Sequence, residues 1–209
     1  MKNILLIFCI FPFLLNAQNE GENNKKFLDG KIGVYFSSFG TNEVFQFGSV
    51  DGAGSYDSDH FFAIGVNYIH GLNNWLDLEA GLEYSKHNLI SRPAFTGDPG
   101  DSPVDMDFRL ITIPITVKAN FWKYCFANGG LLVDIDITES GDYNIDEQTG
   151  IGFVMGLGGQ YNFKSGLSVY VNPYFKLHTL LPIMPEQYHD RVLESGIRLG
   201  VTYSFGKNE

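Results

Sequence analysis

The stretch VLESGIRLGVTYSF, residues 192–205, follows the period-2 rule of a β-strand without a break. Leu193, Ser195, Ile197, Leu199, Val201, Tyr203 and Phe205 fall on one face, and Glu194, Gly196, Arg198, Gly200, Thr202 and Ser204 on the other. One face suits hydrocarbon. The other is small or polar, and the run is long enough to cross a bilayer as a tilted strand, which takes roughly 9 to 11 residues.

The same alternation recurs upstream. It predicts strands at 31–39 (Ile32, Val34, Phe36 outward), 61–70 (Phe62, Ile64, Val66, Tyr68), 75–88 (Leu76, Leu78, Ala80, Leu82, Tyr84) and 108–121 (Ile111, Ile113, Ile115, Val117, Ala119). Further strands follow at 124–138 (Leu131, Val133, Ile135, Ile137), 149–163 (Ile151, Phe153, Met155, Leu157, Tyr161) and 167–180 (Val169, Val171, Phe175, Leu177). With 192–205 they make eight. The connections alternate: long at 40–59, 89–107, 139–148 and 181–191, tight at 71–74, 122–123 and 164–166. This is the rhythm of an all-β, eight-stranded antiparallel up-and-down transmembrane barrel, with tight turns and both termini on the periplasmic side and long loops outside.

Alternation is shared by soluble barrels, which point their apolar face inward. The glycines decide between the two. Gly65, Gly81, Gly130, Gly152, Gly156, Gly158, Gly196 and Gly200 all fall on the polar face. There they would weaken a strand facing water but make room inside a narrow barrel, with Tyr170 and Tyr174 expected to lie over Gly156 and Gly158. Aromatic residues of the apolar face gather at strand ends, at Tyr68, Phe121, Tyr161, Phe163, Tyr203 and Phe205, as an interfacial girdle requires.

Residues 1–17 read as a signal peptide: Lys2, an apolar core from Ile4 to Leu15, and the small exit Leu15-Asn16-Ala17. A polar periplasmic leader, 18–29, precedes the barrel proper, 30–206. Removing 1–17 takes away Lys2 and no acid, leaving 13 basic against 24 acidic residues, a net charge of −11. That balance argues against nucleic acid as a partner. Cys125 is then the only cysteine, so no internal disulfide forms.

The run LITIPITVKANF, residues 110–121, resembles the strand of the PorT-type (OmpA/OmpX-like) outer-membrane β-barrel domain in which Ile-Pro is followed by a lysine and then an aromatic residue. Residues 196–205 are similar to that family's closing strand, and the likeness spans nearly the whole mature chain. It implies an integral protein of the outer membrane of a Gram-negative cell; export through the Sec pathway is the expectation from residues 1–17, and contact with outer-membrane lipid and lipopolysaccharide follows from that location. It also implies envelope or secretion-machinery proteins as partners. It transfers no catalytic residue.

The remaining motifs have plain structural readings. Gly150, Gly152, Gly156, Gly158 and Gly159 echo a phosphate-cradling loop, but strand periodicity runs straight through them, where such a loop must open a helix. His60, His70, His87, His178 and His189 show no metal-ligand spacing, so no metal ligand, cofactor-binding residue or catalytic residue is nominated. The acidic loop residues Asp51, Asp57, Asp59, Asp98, Asp101, Asp105, Asp107, Asp142, Asp146 and Glu147 read as a solvated rim rather than a cation site. The expected role is non-enzymatic: envelope structure, surface interaction or assistance to secretion. The alternative is a lipid hydrolase or acyltransferase at the outer rim, for which His178 with Ser140, or His87 with Ser91, are the available pairs. Eight strands leave an interior that side chains fill, which disfavours a pore. Inside, Lys176 should meet Glu194, Lys118 should meet Asp77 or Glu79, and Arg198 should reach Glu83 across the lumen.

Overall fold

A computed structural model describes residues 30–45, 55–92, 103–138, 147–183 and 190–205. Residues 1–29, read from the sequence as signal peptide and leader, and Ser140 and His189 lie outside the described residues. Eight strands form one closed antiparallel barrel: β1 Lys31–Phe45, β2 Ser55–Gly71, β3 Leu76–Arg92, β4 Val104–Phe121, β5 Cys125–Asp136, β6 Gly150–Asn162, β7 Leu167–Pro182 and β8 Arg191–Ser204. β1 pairs with β8 from Lys31↔Ser204 to Phe45↔Arg191, which closes the ring and leaves no free sheet edge. The Phe205 amide donates to the Gly30 carbonyl at 3.1 Å, so both barrel ends sit on the tight-turn rim.

The polarity is that of a membrane barrel. Ile32, Val34, Ile64, Val66, Leu82, Ile115, Leu131, Leu157, Val171 and Leu199 are exposed on the outer wall, while the inward set alternates with them and is buried. At the tight-turn end an aromatic band forms as the sequence predicts, and it gains Trp122 and Tyr124. Tyr124 stacks on Tyr161 at 6.0 Å, Tyr161 meets Phe163 edge-on at 4.9 Å, and Tyr203 meets Phe205 at 5.6 Å.

On the long-loop side the strands outrun their periodicity. β1 extends to Phe45, β2 begins at Ser55, and β3 and β4 pair as far as Ser91↔Val104, so parts of the predicted loops 40–59 and 89–107 are barrel wall. Two bulges explain why alternation hid this. Ser38 is an extra residue against β8, after which even-numbered β1 residues face inward, and Asp59 is an extra residue against β3. A third irregularity lies in β7, where His178, Thr179 and Leu180 stand opposite Gly152 alone. It turns Thr179 into the interior beside His178, which alternation already faces inward, and holds Thr179 at φ 48°, a left-handed conformation that a β-branched residue adopts only when its surroundings impose it.

Pro114 behaves as a proline in a strand must. Its pairing with β5 is continuous through Pro114↔Leu132, whereas the β3–β4 register runs from Ala80↔Ile115 to Glu83↔Thr112 without pairing Gly81 and Leu82. The register does not shift, so the missing donor produces a local gap rather than a bulge.

The tyrosines and glycines interlock differently from expectation. Tyr170 lies over Gly200, where an added Cβ would sit 2.3 Å from its ring, and the Tyr174 hydroxyl reaches Gly196. Tyr35 covers Gly65, while Gly158 receives Phe126 and Gly156 is flanked by Asn172 and Asn128. Barrel shear displaces the rings toward β8 instead of β6.

Candidate functional site

The lumen is layered. Nearest the tight turns, Lys118 donates to Gln160 Oε1 at 2.6 Å and stands 4.1 Å from the centre of the Phe126 ring. Lys118 is level with Asp77 in the β3–β4 register, yet the Asp77 carboxylate accepts from Asn120 at 2.8 Å and Glu79 accepts from Asn67. In place of the expected ion pair with Asp77 or Glu79, the Lys118 ammonium contacts an amide oxygen and an aromatic face. A polar cavity of about 340 Å³ opens below this layer, lined by Lys31, Asp77, Asn120, Lys123, Gln160 and Ser168 among others.

The middle layer is built on charge. The Arg198 guanidinium lies between the rings of Tyr35, at 4.5 Å, and Tyr174, at 5.1 Å, and faces Glu83 across the lumen at 3.8 Å. Lys176 bonds Glu83 and also Glu194, the latter at 2.9 Å. Both of these sequence-derived pairings hold. Glu194 accepts a further bond from the Tyr174 hydroxyl, which in turn meets Ser37 Oγ at 2.7 Å. Charges so enclosed persist when paired: Glu83, Lys176 and Glu194 are both ion-paired and hydrogen-bonded, whereas Arg198 is held by its ion pair and two aromatic faces, its Nε and Nη2 making no hydrogen bond.

Above it, β3, β7 and β8 bring His87, His178 and Glu194 together, all fully buried. His178 Nε2 is 3.4 Å and His87 Nε2 3.5 Å from Glu194 Oε2. The opposite nitrogens have their own oxygens: His178 Nδ1 lies 3.1 Å from Asp134 Oδ2, and His87 Nδ1 lies 3.2 Å from Asn42 Oδ1. Asp134 is itself fixed by Thr112 Oγ1 at 2.7 Å and by the Thr179 amide at 3.3 Å. Gly152 leaves it space, since a Cβ there would stand 2.9 Å from Asp134 Oδ2. The cluster is roofed by an apolar layer that polar-face reasoning did not anticipate: Leu89, Met106, Phe108, Leu110 and Val192 point inward, and His87 stacks between Phe108, at 4.5 Å, and Phe61, at 5.9 Å.

Sequence spacing pointed away from this cluster, because ligands on three different strands have no local signature. Alternation does put His87, His178, Asp134 and Glu194 on the inward face, and that is the one signal available. Asn42 depends on the β1 bulge and could not be read. Of the pairs considered for an enzyme, Ser140 is outside the described residues, and Ser91 stands four residues from His87 along β3, roughly 13 Å away. The serine that His87 does reach is Ser85, whose Oγ lies 2.9 Å from His87 Nε2. With Asn42 Oδ1 on Nδ1, a serine, a histidine and an asparagine are hydrogen-bonded in succession. All three are buried beneath the aromatic roof. His60 hydrogen-bonds Asn88 at 2.7 Å near the outer rim, and His70 lies at the other end of β2. Among the acidic loop residues, Asp57 and Asp59 belong to β2, while Asp105 and Asp107 belong to β4, where Asp107 meets Lys86 at 3.4 Å and Arg109 at 3.5 Å. Glu147 is exposed, and Asp51, Asp98, Asp101, Asp142 and Asp146 lie outside the described residues.

Eight antiparallel strands, an apolar exterior and a packed polar interior are the fold of the small outer-membrane β-barrels. The chain is similar in fold to the outer membrane protein OprG from Pseudomonas aeruginosa (TM-score 0.53, 11% identity, covering 86% of this chain and 97% of that one). It is similar to the same degree to the outer membrane protein AlkL in lipid bilayers (TM-score 0.53, 11% identity, 92% and 98% covered). A weaker likeness joins it to Ail of Yersinia pestis (TM-score 0.43, 14% identity, 85% and 99% covered). No family model and no curated protein sequence matches the chain.

Proposed function

We propose that this chain is an integral outer-membrane protein of the PorT type, non-enzymatic, with an envelope structural, surface-interaction or secretion-accessory role. The observation that carries this reading is the pairing of an apolar outer wall with an interior closed by the Glu83–Lys176–Glu194 network below and the Leu89–Phe108–Val192 layer above. A barrel plugged in this way presents lipid-facing wall and rims to the cell, so recognition belongs to the outer loops and the periplasmic rim. Lipid, lipopolysaccharide and envelope or secretion proteins are the partners that reading entails, with export through the Sec pathway and loss of residues 1–17.

The test is fractionation followed by gel migration of heated and unheated samples. The protein should partition with outer membranes and run faster unheated, and recovery in the soluble or inner-membrane fraction would overturn the proposal. Cross-linking in intact cells then identifies what the rims touch. The Ser85–His87–Asn42 line supports the competing lipid-hydrolase reading, which needs a route for substrate through the roof. Mass spectrometry of lipid A from cells carrying His87→Ala with His178→Ala separates the two, since an altered acylation pattern sustains the enzyme and an unchanged one the non-enzymatic barrel.

A further inference from the structure

We propose that His87, His178 and Glu194 form a three-ligand site for a divalent transition metal, with zinc the best fit, which ties β3, β7 and β8 together across the lumen. The three residues each bring one ligand atom to within 4.8 Å of the others, and both Nε2 nitrogens face Glu194 Oε2. In a tetrahedral zinc site with ligand bonds of 2.0–2.1 Å the ligand atoms stand about 3.3 Å apart, and the two histidine-to-carboxylate separations here are 3.4 and 3.5 Å. Two imidazoles and one carboxylate are a donor set that zinc takes.

The surroundings are those of a metal centre rather than of a chance cluster. His87 Nδ1 is hydrogen-bonded to Asn42 Oδ1 at 3.2 Å, and His178 Nδ1 faces Asp134 Oδ2 at 3.1 Å without hydrogen-bond geometry; the tautomer protonated at Nδ1 presents the Nε2 lone pair, which on His87 is met by Ser85 Oγ until an ion replaces it. Metal-bound histidines are held in this way by carboxylate and carbonyl oxygens behind them. Glu194 is prepared likewise: Lys176 and Tyr174 occupy Oε1 and leave Oε2 facing the histidines. Directly after His178 the β7 bulge carries Thr179 at φ 48°, and its amide donates to Asp134, the acid behind His178. Glu83, Asp134 and Glu194 face Lys176 and Arg198, so with neutral histidines one negative charge is in excess and a cation is favoured. The competitor is a proton on His178 bridging Asp134 and Glu194. The ion would displace the Ser85 hydrogen bond from His87 Nε2, and the aromatic roof requires it to enter as the barrel closes.

The experiment refolds the full barrel from urea into detergent with zinc chloride, removes free metal with a brief EDTA wash, and measures zinc per folded chain by plasma mass spectrometry. Unheated gel migration scores folding. Wild type should retain one zinc per chain, Asn42→Ala should bind about 10- to 100-fold more weakly, and His87→Ala with His178→Ala should retain none. Folded wild type without zinc overturns the proposal, as does equal retention by the double variant, which would mark the acidic rim. If the double variant fails to fold, cobalt decides. Wild type refolded in cobalt chloride should show the visible bands of tetrahedral cobalt, whereas their absence, or a sulfur-to-cobalt charge-transfer band marking Cys125, rejects the site.

Discussion

Arg198 is the residue at which the interior is most exposed to a single change, because its guanidinium lies between two tyrosine rings and opposite a buried carboxylate. Removing one partner of a buried pair typically costs about 3 to 5 kcal/mol. Arg198→Ala belongs at the low end, near 3 kcal/mol, since Lys176 still covers Glu83. Exposed Asp105→Ala should stay within about 0.5 kcal/mol. Urea titration of the folded barrel measures both, and coincident midpoints would mean that the lumen is wet. Glycines give a second contrast. A Cβ on Gly130 would stand 2.1 Å from the Ile115 carbonyl oxygen and 2.6 Å from Thr116 Cα, backbone that cannot yield, whereas at Gly159 its nearest neighbour is 3.8 Å away. Gly130→Ala should therefore destabilise by about 1 to 3 kcal/mol and Gly159→Ala by about nothing in the same titration.

At the scale of the element, each strand is a two-sided surface whose register is set by the need to keep charge off the lipid face. Leu199 lies on the outward face of β8 mid-strand, while Tyr203 lies at the aromatic rim. An arginine costs about 2 to 4 kcal/mol at the bilayer midplane and about 0 to 1 near the interface. Leu199→Arg should thus be far more damaging than Tyr203→Arg when the two are refolded into liposomes. Equal effects would contradict the lipid-facing assignment of β8. The eight-strand order, the tight turns and the outward sets were legible in the sequence because alternation and turn residues are local properties. Strand ends were not, since Ser38 and Asp59 break the period where it would otherwise have shown β1 and β2 continuing.

For the whole molecule, the layers from Lys118 and Gln160 through Arg198 and Lys176 to the Phe61–His87–Phe108 stack fill the bore. The expected behaviour in a planar bilayer is no steady unitary conductance. Replacing Lys176 and Arg198 together by alanine removes both lumen cations that hold Glu83, and should either unfold the barrel or open a leak. Wild-type channels of stable amplitude would show that the layers do not seal it.

Charge pairing shows where sequence reasoning reached its limit. Lys176 with Glu194 follows from alternation and adjacent strands, and Arg198 with Glu83 from height alone, while Lys118 meets Gln160 and Phe126 and the carboxylates of Asp77 and Glu79 meet Asn120 and Asn67. The sequence by itself determined the barrel, its polarity and the inward direction of His87, His178, Asp134 and Glu194, since a period of two is written residue by residue. Only the tertiary structure decided that these four meet. Convergence from β3, β5, β7 and β8 depends on closure, on shear and on the strained turn at Thr179, and none of these is a property of any one stretch of chain.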